Sequence, residues 1–345
     1  MQSVRLWSAS PVSTALMKKG RLQKEGRWSR SEGEDMCRVI AICTSEKKGT
    51  QKKEVPGALL KADWGIEGDA HAGKWHRQVS MLAVEKIEAF RARGAEVDYG
   101  AFGENLIVEG YDLRNIPVGT RFAIGEAVLE LTQIGKECHS HCAIHKAMGD
   151  CIMPREGVFT RVIRGGKIRP GDEIQKLPLD AERPFTAAVI TLSDKGYAGE
   201  REDKSGPRAC EMLKAAGYEV IETLLLPDGE ERLKKELIRL ADQRQVNVIF
   251  TTGGTGFAER DVTPEATRAV CDRMAMGIAE AIRVHSLAIT DRAMLSRAVS
   301  GIRGKTLIVN LPGSPKACGE GLEYILPPLG HGLGIMRGTE GECGR

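Results

Sequence analysis

The hydrophobic pattern changes character midway along the chain. Between Arg38 and about Leu177, apolar residues come in short runs broken by glycines at turn positions. Examples are Arg38 to Cys43, Phe122 to Ile124 and Val128 to Thr132, which read as strands and tight turns. One stretch departs from this, Ser80 to Arg93, where Met81, Val84, Ile87 and Phe90 fall near helical spacing. A mainly-β barrel or closed β-domain with few helices is expected.

Beyond a polar, proline-bounded segment, Pro178 to Pro184, strands and helices alternate. Ala187 to Leu192 is a continuous apolar run that suits a buried parallel strand, Tyr218 to Leu226 and the short apolar run Val246 to Phe250 read as further strands, and Thr306 to Asn310 as a last buried one. Gly206 to Ala216 is a predicted helix with Ala209, Met212, Leu213 and Ala216 on one face. Glu230 to Arg244 is another, with a Leu233, Leu237, Leu240, Ala241 stripe and the pairs Glu230/Lys234 and Glu231/Lys235. This alternation predicts a three-layer α/β fold with ligands beyond the carboxyl ends of its strands. The expected division is a leader over residues 1–36, a β domain over 37–177, a linker over 178–184 and an α/β domain over 185–345.

Composition narrows the classes. A chain of 345 residues suits two cores. With 41% hydrophobic and 28% charged residues and a net charge of +3, nothing calls for nucleic acid or a membrane surface. The 40 glycines exceed the roughly 24 of average usage, which points to many tight loops. Nine scattered cysteines do not form a secreted-type disulfide framework. No apolar stretch is long enough to span a bilayer, so a cytoplasmic location is expected. Met1 to Asp35 is rich in Ser, Arg, Lys and Gly and has no periodicity. It is expected to be disordered, with Met36 as the natural start. Glu25, Glu32, Glu34 and Asp35 argue against a transit peptide.

The densest chemistry lies in Val246 to Thr267, a strand, a glycine turn, a charged triplet (Glu259, Arg260, Asp261) and a helix start. Gly253, Gly254, Thr255 and Gly256 allow backbone N–H groups to approach a phosphate. Thr263 is a candidate N-cap, with Pro264 at the first helical position. Two other strand ends carry loops: Ser193 and Asp194 running on to Asp203, Lys204, Ser205 and Gly206, and Leu311 to Ala317. In the last, Ser314 can cap, Pro315 can start a helix and Lys316 can add a cation. Asp228, at another strand end, and Asp261 are a candidate carboxylate pair; beside phosphates such pairs hold Mg²⁺. As plain structure, Asp228 is a turn or capping residue, and Asp261 a loop carboxylate paired with Arg260. Gly301 to Thr306 imitates a Walker A ending, but Val299 stands where glycine is required and a strand follows, so it is no ATP site.

TTGGTG with FAERDVTPEAT, the Ser193-Asp194 pair, Asp203 to Gly206 and LPGSPKA together resemble the MogA/MoaB family of molybdenum-cofactor synthesis, over about Phe185 to Leu333. The resemblance implies Mg-ATP-dependent adenylylation of molybdopterin and assembly into homotrimers or larger. It implies catalytic, metal-holding roles for Asp228 and Asp261. It places cofactor binding on Ser193, Asp194, Asp203, Ser205, Gly206, Thr252, Gly253, Gly254, Thr255, Gly256, Pro312, Gly313, Ser314 and Lys316.

In the first half, Glu137 to Cys151 gathers Cys138, His139, His141, Cys142, His145 and Cys151. The spacing is not that of a zinc ribbon or finger. Structural zinc, an incidental thiol-bearing loop and a reactive thiolate favoured by nearby imidazolium or Lys136 all stand open on the residues alone. GIEGDAHAG at Gly65 to Gly73, FGENL at Phe102 to Leu106 and GVFTRVIRGGKIRPGD at Gly157 to Asp172 resemble a MOSC domain, over roughly Cys37 to Gln175. That resemblance implies a β-barrel that binds molybdenum cofactor or moves sulfur to it. Cys142 is the cysteine that matches, with Cys138 and Cys151 as alternatives, and His71, Lys74 and Arg77 are the candidate anion pocket. The joint expectation is a bifunctional protein of molybdenum-cofactor biosynthesis, with hand-over to molybdenum-insertion proteins. The alternatives are a non-catalytic cofactor carrier or a cysteine-based sulfur carrier.

Overall fold

The computed structural model describes residues 37–137, 144 and 148–340. The leader, Cys343 and, in the thiol-rich segment, Cys138, His139, His141, Cys142 and His145 lie outside the described residues.

In the first half the strands are β1 Arg38–Thr44, β2 Lys53–Val55, β3 Ala58–Lys61, β4 Gly65–Ile66, β5 Val79–Ala83, β6 Leu106–Glu109, β7 Arg121–Ile124, β8 Ala127–Ile134, β9 Val158–Arg164, β10 Gly166–Ile168 and β11 Ile174–Lys176. Eight of them form a sheet in the order β11-β7-β8-β9-β5-β6-β1-β2, and β10-β3-β4 form a smaller one. The larger sheet curls back on itself. Val39 N donates to Asp172 O, Gly171 N to Val39 O and Ile174 N to Cys37 O, so the start of β1 meets the approach to β11. The interior holds Val39, Ile42, Met81, Phe122 and Leu129. The outer face of β1 and β5, through Ala41, Cys43 and Leu82, packs on Ile87 and Phe90 of helix α1, Val84–Arg91. Both faces are covered, which is why these strands read as continuous apolar runs rather than alternating ones.

The helix expected from Ser80 begins later. Val79–Ala83 is a strand buried along its whole length and paired with β6 and β9, and α1 starts only at Val84. Pairing on both sides outweighs the helical spacing of Met81 and Val84.

The second half carries β12 Thr186–Leu192, β13 Glu219–Leu226, β14 Val248–Thr252, β15 Arg273–Met274, β16 Ser300–Arg303 and β17 Thr306–Leu311. Their order is β13-β12-β14-β17-β16-β15, with the first four parallel. On one face, Val189, Phe250 and Val309 meet α2 (Ser205–Ala215), α5 (Met276–Leu287) and α6 (Pro315–Arg337) through Leu213, Ile282 and Leu322. On the other, Ile190, Ile249 and Ile308 meet α3 (Glu230–Ile238) and α4 (Thr263–Val270) through Leu233, Leu237 and Ala266. The expected three-layer arrangement is present. After Ile238 the chain opens into a π-turn over Arg239–Gln243, with Leu240 and Ala241 still buried. Gly301 to Thr306 forms the β16–β17 hairpin, not a phosphate loop. Among the described residues no helix is long and apolar enough to cross a membrane.

Candidate functional site

The parallel strands β12, β13, β14 and β17 end on one edge, and the loops leaving them enclose a cavity of about 1010 Å³. Its walls include Ser193, Asp194, Asp203, Ser205, Asp228, Thr252, Gly253, Gly254, Asp261, Gly313 and Ser314. Gly206, Thr255, Gly256, Pro312 and Lys316 are not among them. Lys316, its side chain 81% exposed, lines a neighbouring opening with Asp203, Lys204 and Pro315.

Each loop is tied by its own polar side chains. Ser193 caps the short helix Asp194–Tyr197, its Oγ accepting from Gly196 N at 3.0 Å. Two bonds tie neighbouring strand ends and loops to the third loop: Thr252 Oγ1, at the end of β14, donates to Pro312 O at 2.8 Å, and Ser205 Oγ, in the first loop, to Gly313 O at 2.7 Å. Asp203 Oδ1 accepts from Ser205 N at 2.9 Å and Gly206 N at 3.1 Å, so Asp203 caps the start of α2. Gly206 is needed for packing, because a Cβ there would lie 2.6 Å from both Asp203 Oδ2 and Thr191 Oγ1. Ser314 caps α6 as expected, accepting from Ala317 N at 3.2 Å.

The glycine turn is held by contacts that leave no room for side chains. Gly253 has φ +98°, and a Cβ there would stand 2.4 Å from Leu192 O. Gly254 has φ +63°, with a Cβ 2.3 Å from Thr263 Oγ1. Thr263 is therefore not the expected N-cap. It is the first residue of α4, and its Oγ1 reaches back to donate to Gly253 O at 2.9 Å. Arg297, which no local motif marks, locks the far side: Nε donates to Gly256 O at 2.7 Å, Nη1 to Glu265 at 2.5 Å and Nη2 to Asp261 O.

Asp194 and Asp228 clasp each other reciprocally. Asp228 N donates to Asp194 Oδ1 at 3.0 Å, and Asp194 N to Asp228 Oδ2 at 3.3 Å. Burial pushes the Asp228 carboxyl above the usual carboxylate range, and the charges of Asp194 and Asp261 push it the same way. Asp261 Oδ2 accepts from Ala258 N at 3.0 Å. Cations face these acids: Lys195, Arg201, Lys204 and Arg260 also line the cavity. Arg201 Nη2 donates to Ser193 Oγ at 3.0 Å, a role the sequence does not reveal. Among the described residues no three His, Cys, Asp or Glu side chains form a cage for a metal ion. Mg²⁺ rarely uses such cages; it takes one or two carboxylates and completes its shell with water and substrate phosphate. Three mutually repelling carboxylates on one cavity wall fit that chemistry.

Comparison with known proteins fits this geometry. The model of a probable molybdopterin binding domain matches residues 188–331, and that of the MOSC domain residues 68–175. The chain is 40% identical over 153 residues to a molybdopterin adenylyltransferase of Helicobacter pylori J99, covering 44% of this chain and 87% of that one. The chain belongs to the molybdopterin adenylyltransferase family. The family's Escherichia coli K12 member is 43% identical over 140 residues, 40% of this chain and 71% of that one. A solved MoaB structure from Thermus thermophilus is 47% identical, covers 45% of this chain and 97% of that one, and has a TM-score of 0.43.

In the MOSC half a second cavity, of about 720 Å³, is lined by His71, Lys136 and Cys151 among others. Lys74 and Arg77 do not line it. Lys74 is exposed, and the Arg77 guanidinium stacks 4.8 Å from the Trp75 ring and 5.6 Å from that of Phe159. Of the three candidate thiols, Cys151 is placed on the cavity wall and is buried, while Cys138 and Cys142 lie outside the described residues.

Proposed function

We propose that the second half transfers the adenylyl group of ATP to molybdopterin. The observation that carries this is the cavity at the sheet edge, where a glycine turn in left-handed conformation stands beside Asp228 and Asp261. The printed activity of relatives at 40% and 43% identity supports it.

In this reading the terminal phosphate of molybdopterin attacks the α-phosphate of ATP. A new P–O bond forms, the bond from the α-phosphorus to the bridging oxygen breaks, and pyrophosphate leaves. The protein's part is orientation and charge, since phosphoryl chemistry of this kind needs little covalent help. The backbone N–H of Gly254 and the capped start of α6 at Ser314 hold phosphate oxygens. Lys195, Arg201 and Arg260 offset charge that gathers as pyrophosphate forms. Asp228 and Asp261 would hold Mg²⁺, which would supply positive charge to offset that of the phosphates. Arg297 keeps the glycine loop in register.

The MOSC half binds the finished cofactor or its precursor, which places both activities on one chain and raises the local concentration of the intermediate. Copies assemble as homotrimers or larger in the cytoplasm and pass cofactor to molybdenum-insertion proteins. Light scattering of the purified chain measures the assembly. The test of the reaction is pyrophosphate release by the full chain given molybdopterin, ATP and Mg²⁺. Release that requires molybdopterin supports the assignment; tight molybdopterin binding without release contradicts it.

A further inference from the structure

Behind the MOSC-half cavity lies a fully buried lysine. Lys52 is 1% exposed, and its ammonium donates to Asp69 Oδ2. The same carboxylate oxygen accepts from Ser45 N at 3.1 Å and Asn105 Nδ2 at 3.2 Å. Its other oxygen accepts from His71 N at 2.9 Å. Burial alone would raise the Asp69 carboxyl, but the Lys52 ammonium and the backbone N–H of His71 outweigh that and hold it below the ordinary range. Charged lysines are almost never buried without a partner, and as bare stability such a pair is a poor choice beside an apolar one. The position of the pair suggests what it does. Lys52 Nζ lies 3.3 Å from His71 Nδ1, and His71 lines the cavity.

An ammonium carries donors only. Nδ1 therefore meets Lys52 as an acceptor. The distance from Nδ1 to Asp69 Oδ1, 3.6 Å, is beyond hydrogen-bond reach, so the carboxylate does not draw a proton onto Nδ1. The neutral ring then carries its proton on Nε2. We infer that His71 donates from Nε2 to an oxyanion of the cavity's ligand, and that Lys52, with Asp69, is the positioning residue that fixes this tautomer. Lys136, on the same lining, supplies a cation to the same oxyanion. The apolar Phe102, Met148 and Met153 on the wall suit a flat heteroaromatic body. The ligand class is a heteroaromatic compound bearing an oxyanion, either a phosphate ester or a metal oxyanion. This assignment rests on the reading of the MOSC half as a cofactor binder.

The test is nitrogen NMR on the full chain with ¹⁵N-labelled histidine, the His71 signals being assigned by their loss in His71→Gln. Mildly alkaline wild type is expected to show Nε2 protonated and Nδ1 bare, and Lys52→Met to shift the ring toward the Nδ1–H form. Inorganic phosphate and molybdate, titrated separately, distinguish the two oxyanion sources; at least one is expected to move Nε2 of His71. A protonated Nδ1 in wild type, or a His71 signal that neither anion nor molybdopterin moves, overturns the inference. If Lys52→Met does not fold, two further variants decide. His71→Gln keeps an amide donor near the Nε2 position, whereas His71→Asn places it near Nδ1. Affinity for the active anion, read from Lys136 signals, should stay within about twofold in the first and fall about tenfold in the second. Equal losses in both overturn the inference. Pyrophosphate release reports on the other half alone, so its failure leaves the His71 readout intact.

Discussion

Around the second-half cavity, side chains mostly serve to hold backbone. Thr252, Thr263, Ser205 and Arg297 each tie a loop carbonyl. Behind the first-half cavity the arrangement is reversed. Lys52, Asp69 and Asn105 are buried and hydrogen-bonded through the Asp69 carboxylate, the Glu104 carboxyl is buried near them, and of this group with His71 only the His71 ring reaches the cavity. A site made of backbone loops at a sheet edge depends on glycine and capping residues at fixed offsets. A site backed by a buried polar network depends on every member finding its partner. The first kind should lose function when altered, the second should lose stability.

The largest expected effect breaks the network. Lys52→Met leaves the Asp69 carboxylate buried without its cation and should cost about 3–5 kcal/mol in urea unfolding. A loss under about 1 kcal/mol, the worth of a surface pair, would erase the contrast between the halves. The counterpart in the loop-built site is Asp261→Ala. It should lower adenylyl transfer by about 100- to 1000-fold, as removal of one transition-state contact does, with molybdopterin binding and the unfolding midpoint little changed. Equal losses of binding and turnover would make Asp261 a structural residue of the loop.

Glu104 sharpens the comparison through pH. Its Oε1 accepts from Gly100 N at 2.8 Å, its Oε2 has no hydrogen-bond partner among the described residues, and burial pushes it from an ordinary 4.5 up to about 7. Between those values the folded protein keeps a proton that the unfolded chain releases. Stability from this group is therefore full below about 4.5, falls as pH rises, and is lost above about 7, a change of up to about 3 kcal/mol. Glu104→Gln should flatten that slope in urea unfolding from pH 5 to 8; an unchanged slope contradicts the assignment. The smallest effect is Ser314→Ala, where loss of the α6 cap should cost about 1 kcal/mol by thermal unfolding. A change larger than that of Lys52→Met would reverse the ranking of the two halves.

The same contrast explains how much was legible in the sequence. The α/β order, the three strand-end loops and most of the cavity wall follow from contiguous stretches, because a parallel sheet brings its strand ends to one edge whatever the rest of the chain does. Asp228 and Asp261 stand at such ends. Arg297 does not: it lies in the irregular segment before β16, and only folding returns it to the glycine loop. Thr263 was legible as a helix-start residue but not as the tether of Gly253. In the first half, His71, Glu104 and Asn105 lie inside recognisable motifs. Lys52 stands in a polar Gln-Lys-Lys-Glu run outside those motifs, and its burial arises only from tertiary packing against Asp69. The strand at Val79–Ala83 was hidden for a similar reason, since its neighbours in the sheet come from distant segments.

The most direct measurement follows the α-phosphate. The full chain is given molybdopterin, Mg²⁺ and ATP labelled at the α-phosphorus, and the pterin is separated and counted. The account predicts label in the pterin fraction, matched by released pyrophosphate and absent in Asp261→Ala. Pterin bound to the protein but free of label would contradict it and leave the second half a cofactor carrier.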